Sequence, residues 1–545
     1  MRTKEENIKL AQILFPNVVE SVEDITKRYP KRDLKEGELV LRFAPSPTGF
    51  VHIGNIYTAL INERLARQSS GVFILRIEDT DKEREVEKGI EKLIDGIEFF
   101  NMEIDEGPDR GGKYLPYIQS ERVEIYKVFA KDLVSKGLAY PCFATSKELE
   151  EIREKQKAMG VRTGYYGKFA KWRDMGMKEI EAELEKNTPF TIRLYSTGNV
   201  ENKINTTDLV KGGVTLVEND MDAVLLKSDG LPTYHFAHPI DDTLMGISFV
   251  LRGDEWLSSR PLHMEIFKAL GFKPLEYGHI SPLMKQDGEG KRKLSKRKDP
   301  EADISFYTKE GYPVEGVKEY LLNIANSNFY DWRIANSTKD SSEFELKLEK
   351  LNKAGALFDM RKLEDVCKNF ISRLTALDVY EEVVKWAESM DLALHERLIK
   401  NRDFAIRIFN IEREGERIRK DLVKWSDAHL ILDIFFDGYT QEKFSLDRDL
   451  QEVILNEFLN TLNMTDSSEE WFAKIKDIAK RNSFAIDNKE FESNPKNFKG
   501  KLGDVAMVVR VAITGQSKSP DLYQVIQVMG EDMVRERVSG YLKSL

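Results

Sequence analysis

The stretch LVLRFAPSPTGFVHIGN, residues 39–55, decides the fold of this chain. Its apolar start predicts a buried strand, its two prolines and glycine predict a loop, and its end predicts the first turn of a helix. Such a helix directs free backbone N–H groups and the positive end of its dipole at the space above the strand, which makes a phosphate site. Arg42 and His52 place donors on either side of the loop. By itself, the pattern also fits an ordinary strand-to-helix turn.

The segments around this stretch predict a parallel sheet. Short apolar runs at Glu38–Phe43 and Val72–Ile77 predict strands, and Gly54–Gln68 between them has apolar residues at helical spacing. A strand, a helix and a strand of these lengths form a βαβ crossover. A second amphipathic helix is predicted over Val86–Phe100, and Ile247–Leu251 predicts the strand at which the sheet resumes.

An insertion between two halves of one nucleotide-binding fold explains the mixed pattern between these strands. Within it, Ser146–Met159 predicts a charged helix, and Phe190–Leu194 and Val224–Leu226 predict strands. After Asp299 the chain is predominantly helical in pattern. The predicted fold class is therefore α/β, a split Rossmann-like nucleotide-binding domain with an insertion, followed by a mainly α-helical C-terminal half.

Composition bounds the class of protein. The 545 residues are 41% hydrophobic and 32% charged with a formal net charge of −10, as expected for several globular domains. No apolar run approaches the length of about 18 residues that a membrane span needs, and the polar N-terminus lacks a signal-peptide pattern, so the cytosol is the expected compartment. Two cysteines, Cys142 and Cys367, exclude a disulfide scaffold and are too few for a structural zinc site.

A second segment decides between the two interpretations of the first. Residues 291–298, KRKLSKRK, hold six cations in eight positions, which alone fits a solvated charge patch or a nuclear-import-like cluster. The His-Ile-Gly-Asn turn that ends at Asn55, paired with the Lys-Leu-Ser-Lys-Arg segment that begins at Lys293, resembles the ATP signature of class I aminoacyl-tRNA synthetases. The flanking residues resemble bacterial glutamyl-tRNA synthetases, and the similarity extends over residues 38–545.

The resemblance implies a ligase that joins L-glutamate to tRNA in two steps. ATP and glutamate first form glutamyl-adenylate with release of pyrophosphate, and the glutamyl group then moves to the 2′-hydroxyl of the terminal adenosine of tRNA(Glu). The expected cofactors are ATP and the Mg²⁺ that accompanies it, and a monomer is expected. Whether tRNA(Gln) is also glutamylated stays open.

The same resemblance assigns the ATP site to the two signature segments. Activation needs no enzyme nucleophile, because the substrate carboxylate attacks the α-phosphate and the protein aligns the reactants and neutralises charge. The expected catalytic residues are His52, Lys296 and Lys293, with Lys296 on the β,γ-phosphates. Gly54 is expected to leave room for adenine or ribose, and Asn55 replaces the usual second histidine of the turn. The expected ATP contacts are Ser46, His52, Gly54, Asn55, Glu255, Trp256, Lys293, Leu294, Ser295, Lys296 and Arg297.

Glutamate needs cationic partners for two carboxylates, and the planar fork of arginine matches them. Arg42 and Arg252 each end a predicted strand at the same edge of the sheet. The resemblance implies Arg42 and Tyr234 at the side-chain carboxylate, Arg252 at the α-carboxylate and Glu78 at the ammonium group. The expected glutamate contacts are Arg42, Ala44, Ser46, Glu78, Tyr234, His238 and Arg252. His238 lies where relatives often read Ala-Asn-Val, so packing is expected of it rather than catalysis.

Two further expectations concern carboxylates and zinc. The carboxylates Glu78, Asp79 and Asp81 at a strand end suggest metal binding or recognition of a cation. Alternatively, Asp79, Thr80 or Asp81 could cap a helix that starts near Lys82. Some relatives of the family carry a zinc hairpin in the insertion, but here the matching run offers only Cys142 as a ligand. Zinc is therefore not expected, and Cys142 is expected to be an inert, partly buried thiol.

The resemblance also implies how the chain is divided, with the helical C-terminal half reading the anticodon by stacking and hydrogen bonds on unstacked bases. The expected divisions are an N-terminal extension at 1–36, the first half of the catalytic domain at 37–118, an insertion contacting the tRNA acceptor end at 119–235, the second half at 236–290, a basic loop and stem-contact domain at 291–380, and a helical anticodon-binding region at 381–545. Four alternatives remain. They are a glutaminyl-tRNA synthetase, a shortened relative that glutamylates a tRNA base, a nucleotidyltransferase without a tRNA partner and a non-enzymatic tRNA-binding module.

Overall fold

The computed structural model describes residues 2–47, 51–82, 86, 88–415, 418–436, 442 and 444–545. Thr48 and Gly49 of the predicted phosphate loop lie outside these residues. The strands are β1 Val40–Phe43, β2 Val72–Leu75, β3 Ala139–Cys142, β4 Thr191–Leu194, β5 Lys203–Asp208, β6 Gly212–Val217, β7 Val224–Leu226, β8 Phe249–Gly253, β9 Glu276–Ile280, β10 Leu283–Asp287, β11 Gly290–Lys293 and β12 Ala356–Leu357.

The helices include a dense series in the C-terminal half. They are α1 Lys4–Leu14, α2 Val22–Arg28, α3 Ile53–Gln68, α4 Gly89–Phe99, α5 Val123–Ser135, α6 Ser146–Ala158, α7 Met177–Glu185, α8 Tyr234–Leu244, α9 Arg260–Leu270, α10 Ile304–Glu310, α11 Val314–Ala325, α12 Asn328–Ala335, α13 Met360–Arg373, α14 Ala376–Met390, α15 Leu392–Lys400, α16 Arg402–Phe409, α17 Ala428–Leu432, α18 Arg448–Thr461, α19 Ser468–Arg481, α20 Asn488–Ser493, α21 Leu502–Thr514, α22 Leu522–Met529 and α23 Glu531–Ser544. Within the described residues, none of these helices is long and apolar enough to cross a bilayer.

The chain divides into two compact units. The first contains Met1–Phe306 and Leu321–Asp359, and the second contains Tyr307–Tyr320 and Met360–Leu545. The second unit is helical and has a continuous apolar core that its amphipathic helices share. The first unit carries the strands of the predicted nucleotide-binding fold, so the candidate site is built there.

The predicted parallel βαβ unit is confirmed. β1 and β2 pair in parallel with Val40 opposite Val72, and α3 connects them. β8 and β9 form a second parallel pair. The two pairs meet where the Ser248 N–H donates to the Val40 carbonyl at 2.9 Å. The carboxyl ends of β1 and β8 therefore lie side by side, although the insertion separates them in sequence.

The second amphipathic helix begins later than the pattern predicts. α4 starts at Gly89, after Lys88 in the left-handed region at a φ of 57°, and Val86 is 40% exposed ahead of it. Leu93, Ile97 and Phe100 are buried as expected. Because Lys88 has a positive φ, it is not helical, and Val86 ahead of it does not belong to α4.

The insertion contains the predicted charged helix α6 and the predicted strands β4 and β7, which join β3 in an antiparallel sheet. It also contains an unpredicted hairpin, in which β5 pairs with β6 in antiparallel register. The run KINTTD of β5 is polar, so no apolar alternation marked it as a strand. Asp208, at the end of β5, is nevertheless buried.

Candidate active site

A cavity of about 450 Å³ opens where β1 and β8 end. Its walls come from the loop after β1, the start of α3, the end of β8 and the hairpin of β10 and β11. The lining residues that the sequence predicts are Arg42, Ala44, Ser46, His52, Gly54, Asn55, Glu78, Tyr234, Arg252, Glu255, Trp256, Lys293, Leu294 and Ser295. The structure thus brings both signature segments and the charged residues of the proposed amino-acid pocket to one cavity.

His52 caps the helix that follows the loop. Its Nδ1 accepts a hydrogen bond from the Gly54 N–H at 2.8 Å. Burial lowers the pKa of His52, the cations Lys296 and Lys293 lower it further, and a hydrogen bond to the Leu294 backbone opposes both. The ring is therefore neutral and links the start of α3 to the basic segment.

Gly54 has a structural role beside the one that the sequence suggests. A Cβ at this position would lie 3.0 Å from Nδ1 of His52. A side chain at position 54 would therefore press against the imidazole that accepts the Gly54 N–H. The absent side chain makes room for the cap, in addition to any approach of a nucleotide.

Part of the basic segment, residues 291–298, is held in place by a strand and an ion pair. Residues up to Lys293 form β11, and Arg292 forms a two-pronged ion pair with the buried Asp299 at 2.6 and 2.8 Å. Hydrogen bonds from Arg292, outweighing burial, hold the pKa of Asp299 well below its usual range. Leu294 is buried, and Lys293 Nζ lies 3.7 Å from a carboxylate oxygen of Glu255. Arg292 thus anchors the segment, and other cations remain for a ligand.

Three predicted residues lie outside the cavity wall. Lys296 and Arg297 are exposed and follow the lining residue Ser295. Lys296 is close enough to His52 to lower the pKa of its imidazole. His238 is fully buried and is not among the residues that line the cavity. Its ring stacks behind Tyr234 with centroids 5.5 Å apart.

A buried carboxylate that sequence reasoning missed organises one wall. Asp242 of α8 lies 3.2 Å from Nε of Arg42, contacts Arg76 and lies 2.7 Å from Nδ1 of His238. Burial would raise the pKa of Asp242, but Arg42, Arg76 and His238 outweigh it and hold the pKa well below its usual value. Asp242 therefore stays charged and fixes Arg42 from behind.

Arg42 keeps donors for a ligand. Its Nε donates to Asp242, and its Nη1 donates to the Leu251 carbonyl at 3.3 Å. In the described part of the chain Nη2 makes no hydrogen bond, and Arg42 lines the cavity. A guanidinium has five N–H groups, so a two-pronged contact with a carboxylate is still open to Arg42.

Arg252 is held differently, entirely by neutral acceptors. Its Nη1 donates to the Tyr234 hydroxyl at 2.9 Å and to Nδ1 of His263 at 3.2 Å, and its Nη2 donates to the Trp256 carbonyl at 3.1 Å. Its Nε donates to Nε2 of His279 at 3.2 Å. Across the described residues no carboxylate forms an ion pair with Arg252, so no protein anion offsets its charge.

Glu78 is a buried carboxyl group in the cavity wall near the two arginines. Its carboxylate accepts a hydrogen bond from Arg76 at 3.1 Å. Burial raises the pKa of Glu78 to about 7, even though Arg76 and Arg42 oppose the rise. The neighbouring Asp79 accepts a hydrogen bond from the Ser120 N–H at 2.8 Å. Most of the helix start that the sequence predicts near Lys82 lies outside the described residues.

The residues that the sequence did not single out are Arg76, Asp208, Asp242, His263 and His279. All five are buried. A faint signal existed for Asp242, since a carboxylate between the apolar residues Ile240 and Leu244 of α8 needs a partner if it is buried. The described residues contain no group of three or more His, Cys, Asp and Glu residues that could hold a metal ion, and Cys142 is buried.

Comparison with known families agrees with this geometry. Residues 38–365 match the family described as tRNA synthetases class I (E and Q), catalytic domain, and residues 378–542 match the anticodon binding domain. Class I tRNA synthetases use ATP, generally with Mg²⁺.

Full-length relatives and a solved structure narrow the family. The glutamate–tRNA ligase of Clostridium perfringens (strain SM101 / Type A) is 45% identical over 545 residues, covering 98% of this chain and 99% of the relative. That of Clostridium beijerinckii is 47% identical over 547 residues, with the same coverage. These alignments take in most of residues 1–36, which we had expected to lie outside the common pattern. A crystal structure of a glutamate tRNA ligase from Elizabethkingia meningosepticum, in complex with its amino acid, is 28% identical with a TM-score of 0.74, covering 93% of this chain and 100% of that one. The chain therefore belongs to the glutamate–tRNA ligase family of class I tRNA synthetases.

Proposed function

We propose that the cavity after β1 and β8 activates L-glutamate with ATP and passes the glutamyl group to the 2′-hydroxyl of the terminal adenosine of tRNA(Glu). The observation that carries this proposal is the meeting of two arginines and Glu78 with the two signature segments in one cavity. Two guanidiniums and a carboxyl group in one cavity suit an amino acid with two carboxylates and an ammonium group.

On the ATP side, His52, Lys293 and Lys296 are the residues that we assign to the phosphates. Lys293 lines the cavity, and Lys296 is near enough to His52 for its charge to lower the pKa of the imidazole. Mg²⁺ enters with the ATP phosphates and adds positive charge there. The other ATP contacts that we assign are Ser46, Gly54, Asn55, Glu255, Trp256, Leu294, Ser295 and Arg297.

On the glutamate side, the N–H groups that each arginine has left support assigning each one to a different carboxylate of the substrate. Arg42 keeps enough N–H groups for a two-pronged contact, which supports its assignment to the side-chain carboxylate together with Tyr234. Arg252 has one N–H left and an uncompensated charge, which supports a single strong contact with the α-carboxylate. Glu78 would pair with the ammonium group, with Ala44 and Ser46 completing the wall.

Glutamate should be activated at least roughly 10³-fold more efficiently than glutamine. The neutral amide of glutamine would leave the buried guanidinium of Arg42 incompletely paired, and unpaired buried charge is costly. The measurement is ATP–pyrophosphate exchange with each amino acid, with and without tRNA(Glu). Equal kcat/KM for both would favour the glutaminyl alternative, and no dependence on either amino acid would refute the proposed function.

Glutamate activation should fall as the pH drops through 7. Below the Glu78 pKa of about 7 the carboxyl is protonated and cannot pair with the ammonium group, so kcat/KM for glutamate should fall about tenfold per pH unit between 6.5 and 5.5. In Glu78→Gln this step should vanish, with a lower plateau at pH 8. A wild-type profile that stays flat from pH 5.5 to 8 would contradict the role of Glu78. A step retained in Glu78→Gln would assign it to another group, such as His52.

The purified protein should hold no stoichiometric zinc. Cys142, the ligand type expected of a zinc hairpin, lies in the short strand β3 at 2% exposure. Elemental analysis after dialysis, together with circular dichroism before and after a chelator, checks this. One tightly held zinc per chain, or loss of secondary structure on chelation, would contradict it.

The partners follow from the two matched domains. We assign the helical region 381–545, most of which the anticodon binding domain match covers, to the anticodon of tRNA(Glu). Residues 119–235 are assigned to the acceptor end and residues 291–380 to the stem. A monomer in the cytosol is the state that we propose. Charging assays with tRNA(Glu) and tRNA(Gln) side by side decide whether the second tRNA is also a substrate.

A further inference from the structure

The donors of Arg252 depend on two imidazoles that must each present a lone pair. Nε of Arg252 donates to Nε2 of His279, and Nη1 donates to Nδ1 of His263, each at 3.2 Å. An arginine cannot accept a hydrogen bond, so both facing ring nitrogens have to be unprotonated. The orientation of Arg252 therefore rests on the tautomers of its neighbours.

A carboxylate of the insertion selects the tautomer of His279. Oδ2 of Asp208 lies 2.6 Å from Nδ1 of His279, on the side of the ring opposite Arg252. A carboxylate accepts only, so Nδ1 carries the proton and Nε2 keeps its lone pair. Burial lowers the pKa of His279, and the hydrogen bond to Asp208 opposes this only in part. The ring is thus neutral, with one donor and one acceptor.

The carboxylate of Asp208 is itself fixed by contacts that do not involve the ring. Its Oδ1 accepts backbone N–H groups of Val210 at 3.0 Å, Lys211 at 2.9 Å and His279 at 3.1 Å. Burial would raise the pKa of Asp208, but the hydrogen bonds from His279 and the backbone lower it to about 2. Asp208 therefore stays an anion at every pH at which the protein works.

We propose that Asp208 and His279 are positioning residues for amino-acid recognition. Asp208, from the β5–β6 hairpin, holds His279 as the Nδ1–H tautomer, and the Nε2 lone pair then sets the orientation of Arg252 without neutralising it. This inference rests on the proposed function, because it takes Arg252 as a partner of glutamate. It assigns to the hairpin, which does not line the cavity, a part in substrate affinity.

The substitution Asp208→Asn isolates this role. The amide oxygen can keep the three backbone hydrogen bonds, while the amide N–H₂ faces Nδ1 and takes its lone pair. The proton of His279 then moves to Nε2, where it opposes the N–H of Arg252. The KM for glutamate should rise roughly tenfold to a hundredfold, the scale of one hydrogen bond to a charged group, while the KM for ATP changes less than about twofold.

Two readouts separate positioning from a structural role. In protein labelled with ¹⁵N-histidine, the His279 ring should show the Nδ1–H pattern in the wild type and the Nε2–H pattern in Asp208→Asn. The second readout is a double-mutant cycle with His279→Gln, whose amide oxygen can replace Nε2 as the acceptor for Arg252.

In the His279→Gln background there is no imidazole tautomer for Asp208 to select. Asp208→Asn should therefore raise the KM for glutamate less than about twofold. Glu201→Gln, an exposed carboxylate-to-amide change in the insertion, is the matched control.

A second pair of variants keeps the test decisive if Asp208→Asn does not fold. His279→Gln retains an acceptor for Arg252 and His279→Met does not, while both remove the ring from Asp208. The KM for glutamate should be roughly tenfold higher in the Met variant than in the Gln variant.

Three results would overturn the inference. They are an unchanged KM in folded Asp208→Asn, an equal effect of that substitution in the His279→Gln background, and an equal KM in the Gln and Met variants. A wild-type protein without glutamate-dependent exchange would refute the proposed function instead. The tautomer measurement needs no substrate, so its result does not depend on the proposed function.

Discussion

Replacing Lys296 with alanine should lower the rate of ATP–pyrophosphate exchange by roughly 10²–10³-fold, while ATP affinity changes far less. Lys296 is exposed, yet its charge lowers the pKa of His52 at the cavity wall. A cation that is free in the ground state can bind the migrating phosphates most strongly when their charge develops. Such a contact lowers the barrier rather than the KM.

The matched control is Lys291→Ala, which removes the same charge from the exposed face of β11. Its exchange rate should stay within about threefold of the wild type, because Lys291 neither lines the cavity nor is among the cations that lower the pKa of His52. Single-turnover adenylation separates chemistry from ATP binding. An unchanged rate in Lys296→Ala, or an equal loss in Lys291→Ala, would remove Lys296 from the proposed phosphate contacts.

Replacing Asp242 with asparagine should lower the unfolding free energy of the first unit by about 3–5 kcal/mol. This is the usual loss when one partner of a buried ion pair is removed. Asp242, Arg42 and Arg76 are all at most 4% exposed, so water cannot replace the lost carboxylate. The two guanidiniums would then repel each other in a medium of low polarity. The urea midpoint of the first unit measures the loss.

Asp95→Asn is the control for this substitution, because Asp95 lies on the exposed face of α4. Its midpoint should match the wild type. A loss below about 1 kcal/mol in Asp242→Asn would mean that the two arginines find other partners. The KM for glutamate should also rise in Asp242→Asn, since Arg42 loses the group that holds its Nε.

Local sequence predicted those parts of the fold whose signal is local. β1, α3 and β2 were visible because apolar runs and a helix start follow one another within a short stretch. Polar β5 was missed because its pairing with β6, and not its composition, makes it a strand. Val86 was misplaced because a left-handed residue at Lys88 interrupts the helical spacing.

The candidate site divides in the same way. Arg42, His52 and Lys293 stand in recognisable segments, and all three line the cavity. Asp242 and the pair of Asp208 and His279 act through partners far away in sequence, so no spacing rule could indicate them. His238 follows Tyr234 by one turn on the same face of α8, but its ring lies behind the tyrosine ring and is fully buried.

The chain enters the helical unit twice, which restricts how this unit can be exchanged between related proteins. Residues Tyr307–Tyr320 belong to the helical unit although both flanks belong to the other one. Glu319 accepts a hydrogen bond from Arg373 at 2.6 Å, and the Gly311 carbonyl accepts one from the Trp425 N–H at 2.7 Å. A chimaera joined at a single crossover after Asp359 would pair the 307–320 segment of one parent with the helices of another. Specificity swaps in this family should therefore transplant that segment along with the C-terminal helices.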